Sequence, residues 1–422
     1  MKRNEELRGA IGSKAGAKAG ATGAAEAHDP ERWRGRFPIL SSTNYLVTHS
    51  LGAMPRGVVD KLRAYTDQWA TRGVRAWGEG WWAAPIEVGK LVGRILNAPE
   101  GTVAMHTNVS IIQSIVASAL DFSAPRNKVV YVDIDFPSLM YVWEGVRRRG
   151  ARTQVVESPD GITVPLERLL EAIDEETRIV SMSHVLFKSS FLQDVRAIQA
   201  RAREVGALVL LDCYQSLGTV PIDVQALGVD MVCGGSVKWL CGGPGAAYLY
   251  VRPGLIEALE PTITGWAAHA EPFAFETGPQ RYARGAWRLL NGTPAVPALF
   301  AASAGYEIVL EVGPERIRRW SVALTERLRA DLLDRGFTVP CPADPAQRGG
   351  TLTVGLREDE NGPAFVAALS ERGILVDFRP GAGIRVSPHF YTRAEEIEAF
   401  ARALSELRES RAWARFVSKV AY

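Results

Sequence analysis

The stretch VCGGSVKWLCGGPGAAYLYV, residues 232–251, is the part of the sequence that decides the fold. It contains one charged residue, Lys238, flanked by five glycines and followed by the apolar run at residues 246–251. Glycine lets backbone approach a neighbour or a ligand closely, and a buried lysine is costly unless it is paired or neutralised. We therefore expect Lys238 to be a reactive amine that forms a Schiff base with an aldehyde cofactor. A lone lysine more commonly extends from its loop to the surface.

A short apolar run upstream, Ala207 to Asp212, predicts a buried parallel strand that ends in a carboxylate. Ligands of open α/β sheets bind at the carboxyl ends of the strands, so Asp212 is expected to face the same ligand as Lys238. A Schiff-base lysine and an acid that faces the ring nitrogen are the pair needed by enzymes that use pyridoxal 5'-phosphate (PLP). Taken alone, Asp212 is more commonly the N-cap of a helix.

Residues 212–245, DCYQSLGTVPIDVQALGVDMVCGGSVKWLCGGPG, resemble the lysine region of class V aminotransferase-fold enzymes, and kynureninases in particular. The resemblance extends from about Tyr45 to about Tyr391. It implies an α/β fold with a mixed, mostly parallel sheet and a smaller C-terminal α+β domain. It also implies PLP as the cofactor, an amino-acid substrate, and a homodimer with shared active sites. We divide the chain into a tail (1–30), an N-terminal segment (31–60), a large PLP-binding domain (61–294) and a small domain (295–422).

The resemblance also assigns contacts to the cofactor. Gln215 would bond its phenolic oxygen, and Phe136 would stack on its ring; without the resemblance, Phe136 is a core residue beside a turn proline. A strand, turn and helix around Asn108 predict free N–H groups that suit a phosphate, although a plain N-cap is the alternative. The implied phosphate contacts are Asn108, Val109 and Ser236, with Trp266 and Thr293 from the partner subunit.

Three further residues are candidates for substrate binding. Arg385 matches the arginine that holds the substrate α-carboxylate in the family, and a planar guanidinium suits a carboxylate. Asn291, in the run RLLNGTP, matches a residue that bonds the aryl group of the substrate in kynureninases; the alternative is a loop with a proline stop. His49 precedes an NSLG-like run near the active site in kynureninases, although a lone histidine is more often structural.

The activity implied by the resemblance is hydrolytic Cβ–Cγ cleavage of an aryl-keto amino acid. Three positions depart from kynureninases: Gln215 replaces their usual His, Val237 replaces a Tyr, and Leu139 replaces an acid. A transaminase, an amino-acid lyase or an epimerase of the same fold is therefore an alternative, and a cofactor-free binding protein is an alternative of another class. Lys188 is the rival Schiff-base lysine, but it lacks surrounding glycines and a suitably spaced strand-end acid.

The composition of the chain limits its other partners, its metal sites and its compartment. The 422 residues are 47% hydrophobic and can bury a large core, and the net charge of +2 argues neither for nor against a nucleic-acid or membrane partner. We predict neither, and no metal. The four cysteines fit no zinc or disulfide spacing, which favours reduced thiols in the cytoplasm. The first 30 residues lack aromatics and predict a mobile tail without a secretory signal.

Overall fold

The computed structural model describes residues 28–419, so nearly all of the predicted tail lies outside the described residues. Seven of its strands form a central sheet: β2 (Val103–His106), β3 (Lys128–Val132), β4 (Arg152–Val156), β5 (Thr177–Ser183), β6 (Leu208–Asp212), β7 (Met231–Gly235) and β8 (Ala247–Val251). Their order is β2-β8-β7-β6-β5-β3-β4. β8 runs antiparallel to both of its neighbours, and the other pairs are parallel. The predicted mixed, mostly parallel sheet is confirmed.

Helices on both faces cover this sheet, and the last two helices of the chain pack in a separate C-terminal core. The described residues contain thirteen α-helices. They are α1 (Glu31–Arg34), α2 (Gly57–Arg72), α3 (Ala84–Ile95), α4 (Val109–Ser118), α5 (Pro137–Val146), α6 (Leu166–Glu171), α7 (Val195–Glu204), α8 (Val224–Leu227), α9 (Leu255–Ala258), α10 (Val296–Val312), α11 (Pro314–Asp334), α12 (Gly362–Glu371) and α13 (Ala394–Ser410). No single helix of the described residues is long and apolar enough to cross a membrane; α10 and α11, bent by 80°, meet that test only as a pair.

Six of the seven strands, all except the edge strand β4, contribute to two cores, because successive side chains of a strand point to opposite faces. In β6, Val209 and Leu211 enter the core that also holds residues of α3, α7 and α10. Leu210, between them, enters the core formed with α4 and α5. Burial on both faces explains why β6 is a continuous apolar run. Asp212, at the end of this run, is the one charged residue of the strand.

The C-terminal part has its own sheet and core. β9 (Leu352–Val354), β11 (Asp377–Arg379) and β12 (Gly383–Val386) are antiparallel, while β1 (Asn44–Tyr45) pairs in parallel with β10 (Ile374–Leu375). Helix α10 packs against α2 and α3 and belongs to the core of the large sheet. The change of core occurs within α11, between Ile317 and Leu324. The sequence-based division puts α10 in the small domain, whereas its packing joins it to the large one.

Candidate active site

A cleft of about 260 Å³ lies at the carboxyl ends of β5, β6 and β7. Six of the nine cofactor residues expected from the sequence line it, namely Lys238, Asp212, Gln215, Phe136, Asn108 and Val109. Parallel strands bring their carboxyl ends to one edge of a sheet, so residues far apart in the chain meet there. The remaining three, Ser236, Trp266 and Thr293, do not line this cleft.

Lys238 lies in the turn between β7 and β8, and its backbone is fixed by a close neighbour. Gly52 donates its N–H to the carbonyl of Val237 at 2.7 Å, and a Cβ on Gly52 would lie 2.2 Å from the Lys238 carbonyl oxygen. The Nζ lies 4.7 Å from the ring centroid of Tyr214 and 5.6 Å from that of Phe136. Within residues 28–419 this amine makes no ion pair.

The Lys238 amine is partly neutral near physiological pH. Burial, followed by the positive charge of Arg385, lowers its pKa to about 7, while Asp212 and Asp377 oppose the shift. Desolvation penalises the charged form of an amine, and a like charge nearby adds to that penalty. The result is the property that a Schiff-base lysine needs, because only the neutral amine is a nucleophile.

Asp212 ends β6 and is 5% exposed. Its Oδ1 accepts the N–H of Tyr214 at 2.9 Å, the one hydrogen bond that its carboxylate makes within the described chain. Burial raises the pKa of Asp212 to about 6, although the Tyr214 N–H and Lys238 lower it. A carboxylate in this state ionises readily when a positive charge is brought beside it.

The N-terminus of α4 forms another wall of the cleft. Asn108 caps this helix by accepting the N–H of Ile111 at 3.0 Å, and the Asn108 carbonyl accepts the N–H of Ile112. The N–H groups of Val109 and Ser110 have no acceptor in residues 28–419. Free N–H groups at the positive end of a ten-residue helix are suited to bind an anion.

Gln215 and Phe136 take up different positions in the cleft. The Gln215 Nε2 donates to the His49 carbonyl at 3.1 Å, and its Oε1 accepts the Trp239 Nε1–H at 3.2 Å, so both ends of the amide are held. Phe136 is 43% exposed and meets Phe187 edge-to-face, with ring centroids 5.2 Å apart. Phe136 is therefore an accessible flat ring near the Lys238 amine.

Arg385 is 3% exposed, and much of its hydrogen-bonding capacity is used within the protein. Its Nε and Nη2 donate to the two oxygens of Asp377 at 2.8 and 2.5 Å, and its Nη1 donates to the Phe187 carbonyl at 2.8 Å. The Asp377 carboxylate also contacts Arg379 at 3.1 Å. Burial raises the pKa of Asp377, but the contacts with His49 and then Arg385 outweigh it and hold that pKa well below its usual range.

His49 is also held inside the protein. Its side chain is 1% exposed, with Nδ1 2.7 Å from the Ser387 hydroxyl and Nε2 2.8 Å from Asp377. Burial, followed by the charge of Arg385, lowers the pKa of His49 to about 4, so the ring is neutral. Both nitrogens already have partners in the protein, and the contact of His49 with substrate stays a prediction.

Ser236 is turned away from the cleft as well. Its side chain is fully buried, and its hydroxyl is hydrogen-bonded to the hydroxyl of Tyr306 on α10. Tight packing against α10 keeps it there, since a Cβ on the neighbouring Gly242 would lie 2.7 Å from the Ser236 Cβ. The hydroxyl thus already has a partner elsewhere, and the phosphate contact expected of Ser236 stays a prediction.

Trp266, Asn291 and Thr293 lie outside the main cleft. Asn291 and Thr293 line a small second cavity of about 60 Å³. Trp266 is 42% exposed and donates its Nε1–H to the Pro272 carbonyl. Its ring centroid lies 4.6 Å from that of Trp82, which also lines the second cavity.

Val237 and Leu139, two of the positions that depart from the kynureninase pattern, lie in different surroundings. Val237 lines the main cleft and presents an apolar side chain to it, whereas Leu139 is 1% exposed in the core. Lys188 does not line the cleft, and its Nζ lies 5.8 Å from the Phe187 ring centroid. The geometry therefore favours Lys238 over Lys188 as the reactive amine.

Two residues of the site were missed in the sequence. Tyr214 lines the cleft, and its position two residues after the strand-end acid was the available signal. Asp377 lies directly across from Arg385 in the β11–β12 hairpin. The turn sequence PGA between the two strands, followed by Gly383 at the start of β12, was a signal for this hairpin.

The comparisons with known protein families and sequences are consistent with this site. The family model described as Aminotransferase class-V matches residues 45–403. The chain is 29% identical over 401 residues to the kynureninase of Pseudomonas fluorescens, covering 90% of this chain and 93% of that protein. It is 31% identical over 375 residues to the "Uncharacterized aminotransferase YcbU" of Bacillus subtilis (strain 168), covering 88% and 96%.

Solved structures resemble the whole fold. An apo cysteine desulfurase from Thermococcus onnurineus NA1 has a TM-score of 0.82 at 20% identity, covering 92% of this chain and 100% of that one. The cystine C–S lyase C-DES, in complex with cysteine persulfide, has a TM-score of 0.80 at 20% identity, covering 88% and 99%. At such identities the likeness is evidence for the fold alone.

Proposed function

The chain belongs to the class V aminotransferase family, and from this premise we propose that it is a kynureninase-like hydrolase that cleaves the Cβ–Cγ bond of an aryl-keto amino acid. Its cofactor is pyridoxal 5'-phosphate. The pairing of Lys238 with Asp212 in one cleft, where each has a shifted pKa, supports the cofactor, and the similarity to the Pseudomonas fluorescens kynureninase is the observation that carries the hydrolase proposal. Perturbed groups that face each other in a cleft are typical of active sites.

The residues of the cleft fit PLP chemically. The cofactor needs an amine that is partly neutral, an acid for its ring nitrogen, a flat neighbour and donors for its phosphate. Lys238, Asp212, Phe136 and the free N–H groups of Val109 and Ser110 provide these in turn. When bound, PLP supplies an aldehyde that reacts with amines and an electron-poor ring that withdraws electrons from the substrate.

Two side chains handle the protons of the reaction. Asp212 holds a proton on the ring nitrogen, because the positive charge created there favours the ionised carboxylate. The Lys238 Nζ removes and returns the proton at the substrate Cα. Its pKa of about 7 suits both directions of transfer at neutral pH.

The remaining groups bind and orient. The N–H groups of Val109 and Ser110 bind phosphate at the start of α4. Phe136 covers the ring and excludes water, and the Gln215 amide, held by His49 and Trp239, is oriented to donate to the phenolic oxygen. Arg385 retains N–H groups that are not used by Asp377 and the Phe187 carbonyl, and these are proposed to bind the α-carboxylate.

A second candidate function is a transaminase, lyase or epimerase with a different amino-acid substrate. The observation that favours it is the apolar wall at Val237, where a kynureninase has a tyrosine. Valine neither donates a hydrogen bond nor moves a proton, so a reaction that needs a second acid at this place is disfavoured. The four cysteines are all buried, which disfavours a desulfurase that uses an accessible thiol.

We further propose a homodimer in which each subunit completes the other's site. Trp266, Phe273 and Phe275 form an exposed aromatic patch, 42%, 59% and 70% exposed. Large exposed apolar patches commonly mark interaction surfaces. A second copy on this surface would bring its Thr293 and Asn291 towards the cleft, and light scattering of the purified protein would give a monomer mass if this is wrong.

We also propose that the enzyme acts in the cytoplasm. Cys213, Cys233, Cys241 and Cys341 are all free thiols, as is usual in a reducing compartment. Fractionation of cells that produce the protein tests this, and recovery from an oxidising compartment would contradict it.

The test of the cofactor site compares two lysines. Wild-type protein with added PLP should be yellow, and Lys238→Ala should lose that visible absorption while keeping its far-UV circular dichroism. Lys188→Ala is the matched control and should remain yellow, because Lys188 lies outside the cleft. A colourless Lys188→Ala protein and a yellow Lys238→Ala protein would reverse the assignment.

The test of the reaction uses kynurenine and 3-hydroxykynurenine. Hydrolysis releases anthranilate or its hydroxy derivative, which are followed by fluorescence. A yellow enzyme without turnover of either compound would exclude the hydrolase and leave the second candidate. In that case, transfer of the amino group to an added keto acid separates a transaminase from a lyase or an epimerase.

A further inference from the structure

The hydroxyl of Tyr214 has no assigned role in the cofactor site. Tyr214 follows the strand-end acid by two residues, lines the cleft and is half-buried. Its ring centroid is 4.7 Å from the Lys238 Nζ. Its hydroxyl makes no hydrogen bond to any of the residues 28–419, which is unusual for a tyrosine beside a buried charged group.

The lysine turn lacks the donors that its position suggests. Ser236 has the right side chain, but its hydroxyl is bonded to Tyr306 and lies outside the cleft. Val237 lines the cleft, but its side chain has no donor. This side of the cleft is therefore deficient in side-chain hydroxyls at the residues just before Lys238.

The Tyr214 hydroxyl lies over this same part of the backbone. A Cβ on Gly235, the residue before Ser236, would lie 2.4 Å from both the Tyr214 hydroxyl oxygen and its Cζ. Glycine at this position thus lets the phenol lie against the end of β7. The start of α4, with its free N–H groups, borders the same 260 Å³ cleft.

The Tyr214 phenol is also protonated at physiological pH, as a hydrogen-bond donor must be. Burial, with the negative charge of Asp212 as the second cause, raises the pKa of Tyr214 to about 12. The hydroxyl is neutral at physiological pH and can donate its proton to an anion.

We propose that the Tyr214 hydroxyl binds the phosphate of the cofactor and supplies the donor that Ser236 and Val237 do not. The inference rests on PLP as the cofactor and is independent of the reaction that the enzyme catalyses. A hydrogen bond to a charged group contributes roughly 10- to 100-fold to an affinity. The phosphate would then be held by the Val109 and Ser110 N–H groups on one side and by this phenol on the other.

The experiment compares PLP with pyridoxal, which lacks the phosphate. Cofactor is removed from the full-length protein, and each compound is titrated back while intrinsic fluorescence and visible absorption are followed. The variant is Tyr214→Phe, which keeps the ring and removes only the hydroxyl. The matched control is Tyr141→Phe, since Tyr141 is 74% exposed on α5.

The expected result is a rise of roughly 10- to 100-fold in the Kd for PLP in Tyr214→Phe, with the Kd for pyridoxal within about threefold of wild type. Tyr141→Phe should match wild type for both compounds. The proposal is overturned if Tyr214→Phe leaves the PLP affinity unchanged, or if both affinities fall by the same factor. Because no substrate is present, failure of the kynurenine assay does not affect this result.

Should Tyr214→Phe prove unstable, inorganic phosphate answers the same question through a comparison of the wild-type chain with Tyr214→Trp. Phosphate should compete with PLP and protect the protein, raising its Tm, and it should not compete with pyridoxal for the amine. The same protection measured in Tyr214→Trp, which fills the space but moves the donor, should be weaker. Equal protection of the two proteins by phosphate would contradict the proposal.

Discussion

Replacing Asp377 with asparagine tests the charge arrangement around the proposed carboxylate site. The Asp377 carboxylate accepts from the Arg385 Nε and Nη2 at 2.8 and 2.5 Å, and it lies 2.8 Å from the His49 Nε2. The side chain of Arg385 is 3% exposed and that of Asp377 is 14% exposed. Asparagine has the same shape but no charge, so Asp377→Asn leaves a buried guanidinium without its counter-ion.

The expected loss of stability follows from that burial. Removing one partner of a buried ion pair costs about 3–5 kcal/mol, mostly because the other charge remains in a poor environment. The carboxylate is slightly exposed and the amide keeps one acceptor oxygen, so we expect the lower end, about 3 kcal/mol. For a chain of this length the corresponding drop in Tm is roughly 4 °C.

The assay is urea unfolding at pH 7, with and without saturating PLP, followed by circular dichroism. The matched control is Asp359→Asn, whose carboxylate is 3.1 Å from Arg411 with both side chains more than half exposed. Exposed pairs contribute little, so the control should unfold like wild type. A double variant, Asp377→Asn with Arg385→Gln, should be more stable than Asp377→Asn alone, because it contains no uncompensated charge.

The reasoning fails if Asp377→Asn unfolds at the same urea concentration as Asp359→Asn. It also fails if the double variant is less stable than Asp377→Asn, since Arg385 would then be stable in the site without an acid. Either outcome would mean that water or another acceptor solvates the guanidinium, and that Asp377 does not set its position.

Three other predictions follow from the geometry. The apo protein should react with an acylating reagent at Lys238 with a midpoint near its pKa of about 7, in place of the pH near 10 typical of lysine, and Lys238→Ala should lose that reactive site. Gly52→Ala should weaken PLP binding because its Cβ would lie 2.2 Å from the Lys238 carbonyl oxygen, while Gly78→Ala, which meets nothing within 4 Å, should not. The pKa of His49 is lowered from 6.5 to about 4, so its contribution to stability is present above pH 6.5 and is lost as the pH falls towards 4. His49→Gln should therefore show about 3 kcal/mol less acid-induced loss of unfolding free energy than wild type over that range, and an equal loss in both proteins would contradict the assignment.

The parts of the site that were predicted from the sequence are those fixed by local rules. The apolar run before Asp212 had to be a buried strand, and the glycines around Lys238 required a close-packed turn. β6 and β7 are neighbours in the sheet, so the residues that follow them meet at one edge. Two short patterns, with the rule that ligands bind at the carboxyl ends of strands, were thus enough to predict the pairing of this acid with this amine.

The parts that could not be predicted depend on contacts between distant segments. Ser236 has the expected residue type and spacing, but Tyr306, 70 residues further along the chain, decides where its hydroxyl points. The same applies to His49, whose two partners lie more than 300 residues away in the sequence. No periodicity or spacing near either residue predicts these partners. The partners are set by the packing of α10 and of the C-terminal sheet against the rest of the chain.

The β11–β12 hairpin constrains Arg385. In the sequence, the substrate-binding role of this residue could be assigned only from its residue type and its place in the run. The register of β11 and β12 places Asp377 opposite Arg385, so a bidentate pair forms between them. A guanidinium has five N–H donors, and the bonds to Asp377 and to the Phe187 carbonyl use three of them. One donor then remains on each terminal nitrogen, and the two lie parallel on one edge when the Phe187 carbonyl takes the Nη1 hydrogen that faces away from Nη2. Because Asp377 occupies the edge formed by Nε and Nη2, the edge formed by Nη1 and Nη2 is the one proposed to bind the substrate carboxylate.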